Sequence, residues 1–165
     1  MKNLKSTAIF LLALLLIFSC KKTEDKDNDY NVLRFNSGSD AGFVHVYSPN
    51  LGFWSFATET VKSVHLVFGD TDDQVINGKD IMSIYFYDEG TGPVTFPSAQ
   101  GQHCNFSVTI SGSEKYYSAE DAKLTISEFT SDRLKGSVSG TFISGGPEFE
   151  TVTVSMDIDI QMVQI

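Results

Sequence analysis

The chain has 165 residues, 12 of them Lys or Arg and 21 Asp or Glu, for a net charge of −9. That length supports one domain and no more. An acidic surface of this kind repels a phosphate backbone, which excludes nucleic acid as a partner. A domain of this size buries roughly two-thirds of the surface its unfolded chain exposes, enough for a core without disulfides or metal.

Residues 1–19 read as a removable secretory signal. Lys2 and Lys5 form a basic start, and Ala8 to Phe18 is an unbroken apolar run. The run is too short for a bilayer core of roughly 30 Å, which needs about 20 helical residues, but it suits the centre of a signal peptide. It closes as Leu16-Ile17-Phe18-Ser19-Cys20. This resembles a bacterial lipobox, with an aliphatic residue at −3, a small one at −1 and then cysteine; Phe18 is bulkier than usual at −2. The resemblance implies cleavage before Cys20 and lipidation of its thiol with palmitate-type chains, so that the membrane is a partner through the anchor. Each buried CH₂ contributes about 0.8 kcal/mol, and two or three chains hold stably. Losing the signal removes Lys2 and Lys5 and takes the charge from −9 to −11.

Residues 20–30 form the lipidated cysteine and an acidic tether. Lys21 to Asp29 contains no apolar residue, so it cannot pack, and fully extended it reaches roughly 35 Å. The Ser-Cys-Lys-Lys junction followed by Glu24 and Asp25 is similar to that of Bacteroidota lipoproteins, where acids after the cysteine act as a surface-export signal. The resemblance implies the outer membrane and the cell surface, with a periplasm-facing placement as the alternative. A plain solvated spacer fits the same residues.

Residues 31–165 read as one β domain. Short apolar runs lie at Val32 to Phe35, Phe43 to Tyr47 and Phe53 to Ala57. Val64, Leu66 and Phe68 then alternate with Ser63, His65 and Val67, and Met82, Ile84 and Phe86 with Ser83, Tyr85 and Tyr87. Cys104, Phe106, Val108 and Ile110 share one parity, as do Ala122, Leu124 and Ile126. Leu134, Val138 and Phe142 share a face with Gly136 and Gly140. The clearest run closes the chain: Val152, Val154, Met156, Ile158, Ile160 and Met162 alternate with polar residues. Period two of this kind gives strands with one dry and one wet face, and on a helix the same residues would scatter around the cylinder. Ser118 to Ala122 reads as at most one helical turn, capped by Ser118. Turn residues such as Asn77-Gly78 and Glu89-Gly90 separate the runs. The expected fold is all-β, an antiparallel β-sandwich of 8–10 strands, with barrel-like closure as the alternative.

With Cys20 acylated, Cys104 is the remaining thiol and has no intrachain partner for a disulfide. Its parity puts it inside, and His103 points to the opposite face. His45, His65 and His103 are too scattered for a zinc motif. Asp70, Asp72 and Asp73 lie in a loop and offer hard oxygens to calcium. Glycine is absent from the sixth position of that loop, however, and glutamate from the twelfth, so a solvated acidic turn fits as well as a weak calcium site. No other cofactor is implied. Asp157 and Asp159 stand roughly 7 Å apart along one wet face, a spacing that glycoside hydrolysis uses, but nothing sets their acidities apart. Tyr85 and Tyr87 face away from the dry side of their strand, next to His65 or Tyr47 if those strands pair. Trp54 lies between Phe53 and Phe56. Flat rings on a sheet face stack on sugar rings or on partner side chains, so Trp54, Tyr85 and Tyr87 are the candidate ligand-binding residues.

The second half holds a tyrosine before a short acidic turn (Tyr117, Glu120, Asp121), then Leu124-Thr125-Ile126, then Gly136-Ser137-Val138-Ser139-Gly140-Thr141-Phe142. This layout resembles uncharacterised small outer-membrane lipoproteins of the Bacteroidota. The resemblance implies a lipid-anchored β domain and carries no catalytic residues. The expectation is a binding or structural module of the cell envelope, not an enzyme, whose partner is a glycan or an envelope protein. An accessory subunit of a surface complex is the alternative, and a glycan-acting hydrolase the third reading.

Overall fold

The computed structural model describes residues 30–47, 50–69, 80–88, 93–98, 100–146 and 149–165. Cys20, the signal, the tether and the loop with Asp70, Asp72 and Asp73 lie outside the described residues. Ten strands carry the fold: β1 (Val32–Phe35), β2 (Val44–Val46), β3 (Asn50–Phe56), β4 (Lys62–Phe68), β5 (Met82–Asp88), β6 (Val94–Phe96), β7 (His103–Ile110), β8 (Ser113–Phe129), β9 (Arg133–Ser144) and β10 (Thr151–Gln164). Among the described residues there is no helix.

Pairing follows the order β2-β1-β10-β3-β4-β5-β7-β8-β6, and β9 joins β10 to β8. The hydrogen bonds therefore run full circle through β10, β3, β4, β5, β7, β8 and β9. The long strands make this happen by changing partner midway. β10 pairs with β1 at Val154 and Ser155 and with β3 at its far end. β8 starts on β7 and continues on β6. The result is sandwich-like, with aromatic rings meeting across a dry interior. Phe35 of β1 meets Phe106 of β7 edge-on, centroids 5.8 Å apart, and Phe106 meets Phe142 of β9 at 5.1 Å.

Alternation predicts the core well. Val152, Val154, Met156, Ile158, Ile160 and Met162 are all buried, as are Met82, Ile84 and Phe86, and Val64, Leu66 and Phe68. Gly136 and Gly140 of β9 sit against the backbone of β8. A Cβ at Gly140 would lie 2.3 Å from the Asp121 carbonyl oxygen, and one at Gly136 would lie 2.4 Å from that of Thr125. The glycines let two main chains approach closely.

Three features depart from the sequence reading. Ser118 to Ala122 is strand, not a helical turn. β8 carries register shifts between Ala119 and Asp121 and between Ile126 and Glu128, each an extra residue that moves the inward side chains to the other parity. Tyr117 is buried before the first shift, and Ala122 and Leu124 after it. Ser118 and Asp121, which look like a helix cap and its third-position partner, are instead strand residues flanking that shift. Second, β10 and β3 pair in parallel, with Val163 opposite Phe53. Third, β6 is too short for alternation to reveal. Pro93 and Pro97 bracket it, and among the described residues it pairs with β8 alone, as suits an edge.

Candidate functional site

β4 and β5 pair antiparallel from Lys62↔Asp88 to Phe68↔Met82, which sets His65 beside Tyr85. β3 brings Phe53 opposite His65. On the other side β7 brings His103 opposite Tyr85. Phe53, His65, Tyr85 and His103 thus form one row across four strands, on the face away from the core. Strand spacing makes the row about 14 Å long. Tyr87 lies one step along β5 on the same side.

The rings touch. Tyr85 stacks on His103 with centroids 5.6 Å apart and planes at 24°. His65 meets Tyr85 edge-on at 6.2 Å, and Tyr87 meets it edge-on at 5.4 Å. Hydrogen bonds fix the strip. Ser63 Oγ donates to the Tyr85 hydroxyl at 3.2 Å. His65 Nε2 and Ser83 Oγ lie 2.8 Å apart. The Tyr87 amide donates to Gln102 Oε1 at 3.2 Å. His103 Nδ1 is 3.3 Å from the Gly101 carbonyl oxygen. That oxygen can only accept, so Nδ1 donates to it and Nε2 is left for other partners.

Electrostatics follow from these contacts. Burial of the ring lowers the His65 pKa from its ordinary value, and the neighbouring His103 lowers it further. The bond from Ser63 favours the Tyr85 phenolate and lowers its pKa. The strip combines π-faces with hydroxyl and imidazole groups that both donate and accept.

The other predicted site residues lie elsewhere. Trp54 does not join Tyr85 and Tyr87. It is buried, and its indole N–H donates to the Ser131 carbonyl oxygen at 3.2 Å. Lys62 Nζ lies over the Trp54 ring, 5.2 Å from its centroid, and 4.7 Å from that of Phe129. Tyr47, the other neighbour considered for Tyr85, is buried, with its hydroxyl donating to the Ser107 carbonyl oxygen at 3.2 Å. Asp159 is held by the Arg133 guanidinium through Nε at 2.7 Å and Nη2 at 2.5 Å, and Lys135 lies 3.8 Å away. The Arg133 bond lowers the Asp159 pKa, the opposite of what a general acid needs. Cys104 is fully buried, and burial pushes its thiol far above the ordinary range.

Sequence reasoning missed Phe53 and His103 as members of the strip. Parity alone places His103 on the outer face, but only the pairing of β5 with β7 puts it against Tyr85. Among the described residues, no three His, Cys, Asp or Glu side chains converge as a metal site, and no helix is long and apolar enough to cross a membrane. Comparison with family models, curated proteins and solved structures returned no match.

Proposed function

We propose that the chain is a lipid-anchored module of the cell envelope that binds its partner through the outer face of β3, β4, β5 and β7. One observation carries this reading: Tyr85 is clasped between His65 and His103, with Tyr87 alongside, on the face away from the core. Rings held this way lose little freedom on binding, so contact area converts efficiently into affinity. Lipidation at Cys20 would tie this face to the outer membrane, and the tether would let it reach out from the surface.

The test uses full-length protein in detergent micelles, mixed with purified envelope polymers and sedimented. Wild type should co-sediment, and the Tyr85→Ala/Tyr87→Ala double variant should not, at an unchanged melting temperature. Equal sedimentation of the two would refute the contact face. In cells, Cys20→Ala should move the protein to the soluble fraction, and continued membrane retention would refute the anchor.

A second reading, an accessory subunit that meets protein, draws on β2. This edge strand pairs with β1 alone among the described residues, and it exposes Val44 and Val46. A partner strand can add to such an edge. Crosslinks gathered at Val46 instead of Tyr85 would favour it.

A further inference from the structure

Among the described residues, the outward positions around the strip carry no charged side chain. Every outward position on β3, β4 and β5 whose side chain is described, from Phe53 to Tyr87, carries neither Asp, Glu, Lys nor Arg, and the same holds for His103 and Asn105 on β7. This is unusual in a chain where 20% of residues are charged and acids outnumber bases 21 to 12. The charged pair nearest in register, Lys62 and Asp88, has the opposite parity, and the Lys62 ammonium is turned onto the Trp54 and Phe129 rings.

Ligand classes separate on that basis. An anionic polymer finds no cation among the described residues of this face to offset its desolvation, and it approaches a chain of net charge −9. A cation is drawn by the global charge but finds no carboxylate, and the rings form a row instead of a cage. A protein partner's anchor needs an apolar pocket, whereas this face interleaves rings with serines. What remains is a molecule that is uncharged, presents flat C–H faces, and carries many hydroxyls.

We infer that this face takes a neutral saccharide, its C–H groups packing on the solvent-facing ring atoms of Tyr85 and Tyr87 and its hydroxyls exchanging hydrogen bonds with Ser63, His65, Ser83 and His103. This rests on the contact face proposed above. The Tyr85 hydroxyl accepts from Ser63 and is hydrogen-bonded to Tyr87, so the polar tips of the two tyrosines are held together on this face. His103 offers Nε2 as a further polar group. The row runs about 14 Å across the strands, so a chain of several sugars laid along it meets each ring in turn.

The experiment is calorimetric titration of the full chain in detergent micelles with neutral hexasaccharides of glucose, mannose and xylose, alongside hexagalacturonate as the charged counterpart. At least one neutral hexasaccharide should bind and hexagalacturonate should bind more weakly. Tyr85→Ala should weaken the neutral ligand by roughly tenfold or more, and Tyr85→Phe, which keeps the ring, by less. Tyr85-dependent binding of hexagalacturonate over all neutral sugars would overturn neutrality but leave the contact face standing. Failure of every saccharide, while Tyr85→Ala/Tyr87→Ala still abolishes co-sedimentation with envelope polymers, would overturn the saccharide and again spare the face. Saccharide binding unchanged in that double variant would overturn both.

Discussion

The ring of Tyr85 stacks on that of His103, planes 24° apart, although the two lie on strands that are not consecutive in the chain. His65 closes the other side of the tyrosine. Two imidazoles therefore share one aromatic neighbour, and the protonation of the more buried one, His65, is felt by the fold.

Stability should fall in mild acid. His65 and His45 both have pKa values below the ordinary 6.5, and burial is the main cause for each. Asp80 opposes the shift at His45, and His103 adds to it at His65. As pH drops through about 6.5 the unfolded chain takes up these protons before the folded chain does, so unfolding gains. Carboxylate protonation relieves self-repulsion in the same direction of pH, so the difference between variants isolates the histidine part. Thermal melts of wild type and His65→Gln at pH 7.5 and 5.5 should show a smaller decline in the variant, by about 1–3 °C after discounting for partial exposure. Identical declines would contradict the role given to burial.

Gly140→Ala should be among the most damaging single substitutions. Its φ is +148°, and the added Cβ would lie 2.4 Å from the Ala122 Cα. Main chain cannot step aside cheaply, so a loss of roughly 3 kcal/mol is expected in chemical denaturation. Gly112 provides the contrast. It too has positive φ, +82°, but nothing lies within 4 Å of a Cβ there, so Gly112→Ala should cost only about 1–2 kcal/mol. Equal costs would mean that the close approach of β8 and β9 is not the constraint.

Cys104 should be inert while the protein is folded. In a Cys20→Ala background, where it is the sole thiol, disulfide reagents should label it only after denaturant is added. Cys104→Ser should destabilise more than Cys104→Ala, by about 1–3 kcal/mol, because the hydroxyl has to be buried among Phe106, Ile84 and their neighbours. Ready labelling of the native protein would show the site to be open.

Trp54 should matter to stability and not to binding. Trp54→Phe removes the indole donor to Ser131 and weakens the platform under Lys62, at a cost of about 1 kcal/mol. Titrations at the Tyr85 strip should not change. A variant that melts like wild type but loses ligand would return Trp54 to the contact surface.

Much of the fold was legible because side-chain parity along a strand is a local property. Twelve alternating residues are enough to say that Met156 and Ile158 point inward and Asp157 and Asp159 outward, and the burial agrees. The same rule put Tyr85 and Tyr87 outside. It was silent on Trp54, because both parities of its strand carry aromatics: Phe53 on one, Trp54 and Phe56 on the other. It failed at Ser118 to Ala122, because an inserted residue in a strand changes phase without changing composition.

From its own order of residues, this chain determined that it would be all β, which side chains would be dry, and that two tyrosines would stand on the wet side of β5. Tertiary structure alone decided what those tyrosines would touch. β5 passes over β6 to pair with β7, β10 turns parallel to β3, and β8 and β10 change partners midway. Alternation is set by the geometry of one backbone, whereas adjacency is set by which distant edge satisfies its hydrogen bonds, and no local pattern encodes that choice. His103 therefore comes to rest on Tyr85 through pairing alone.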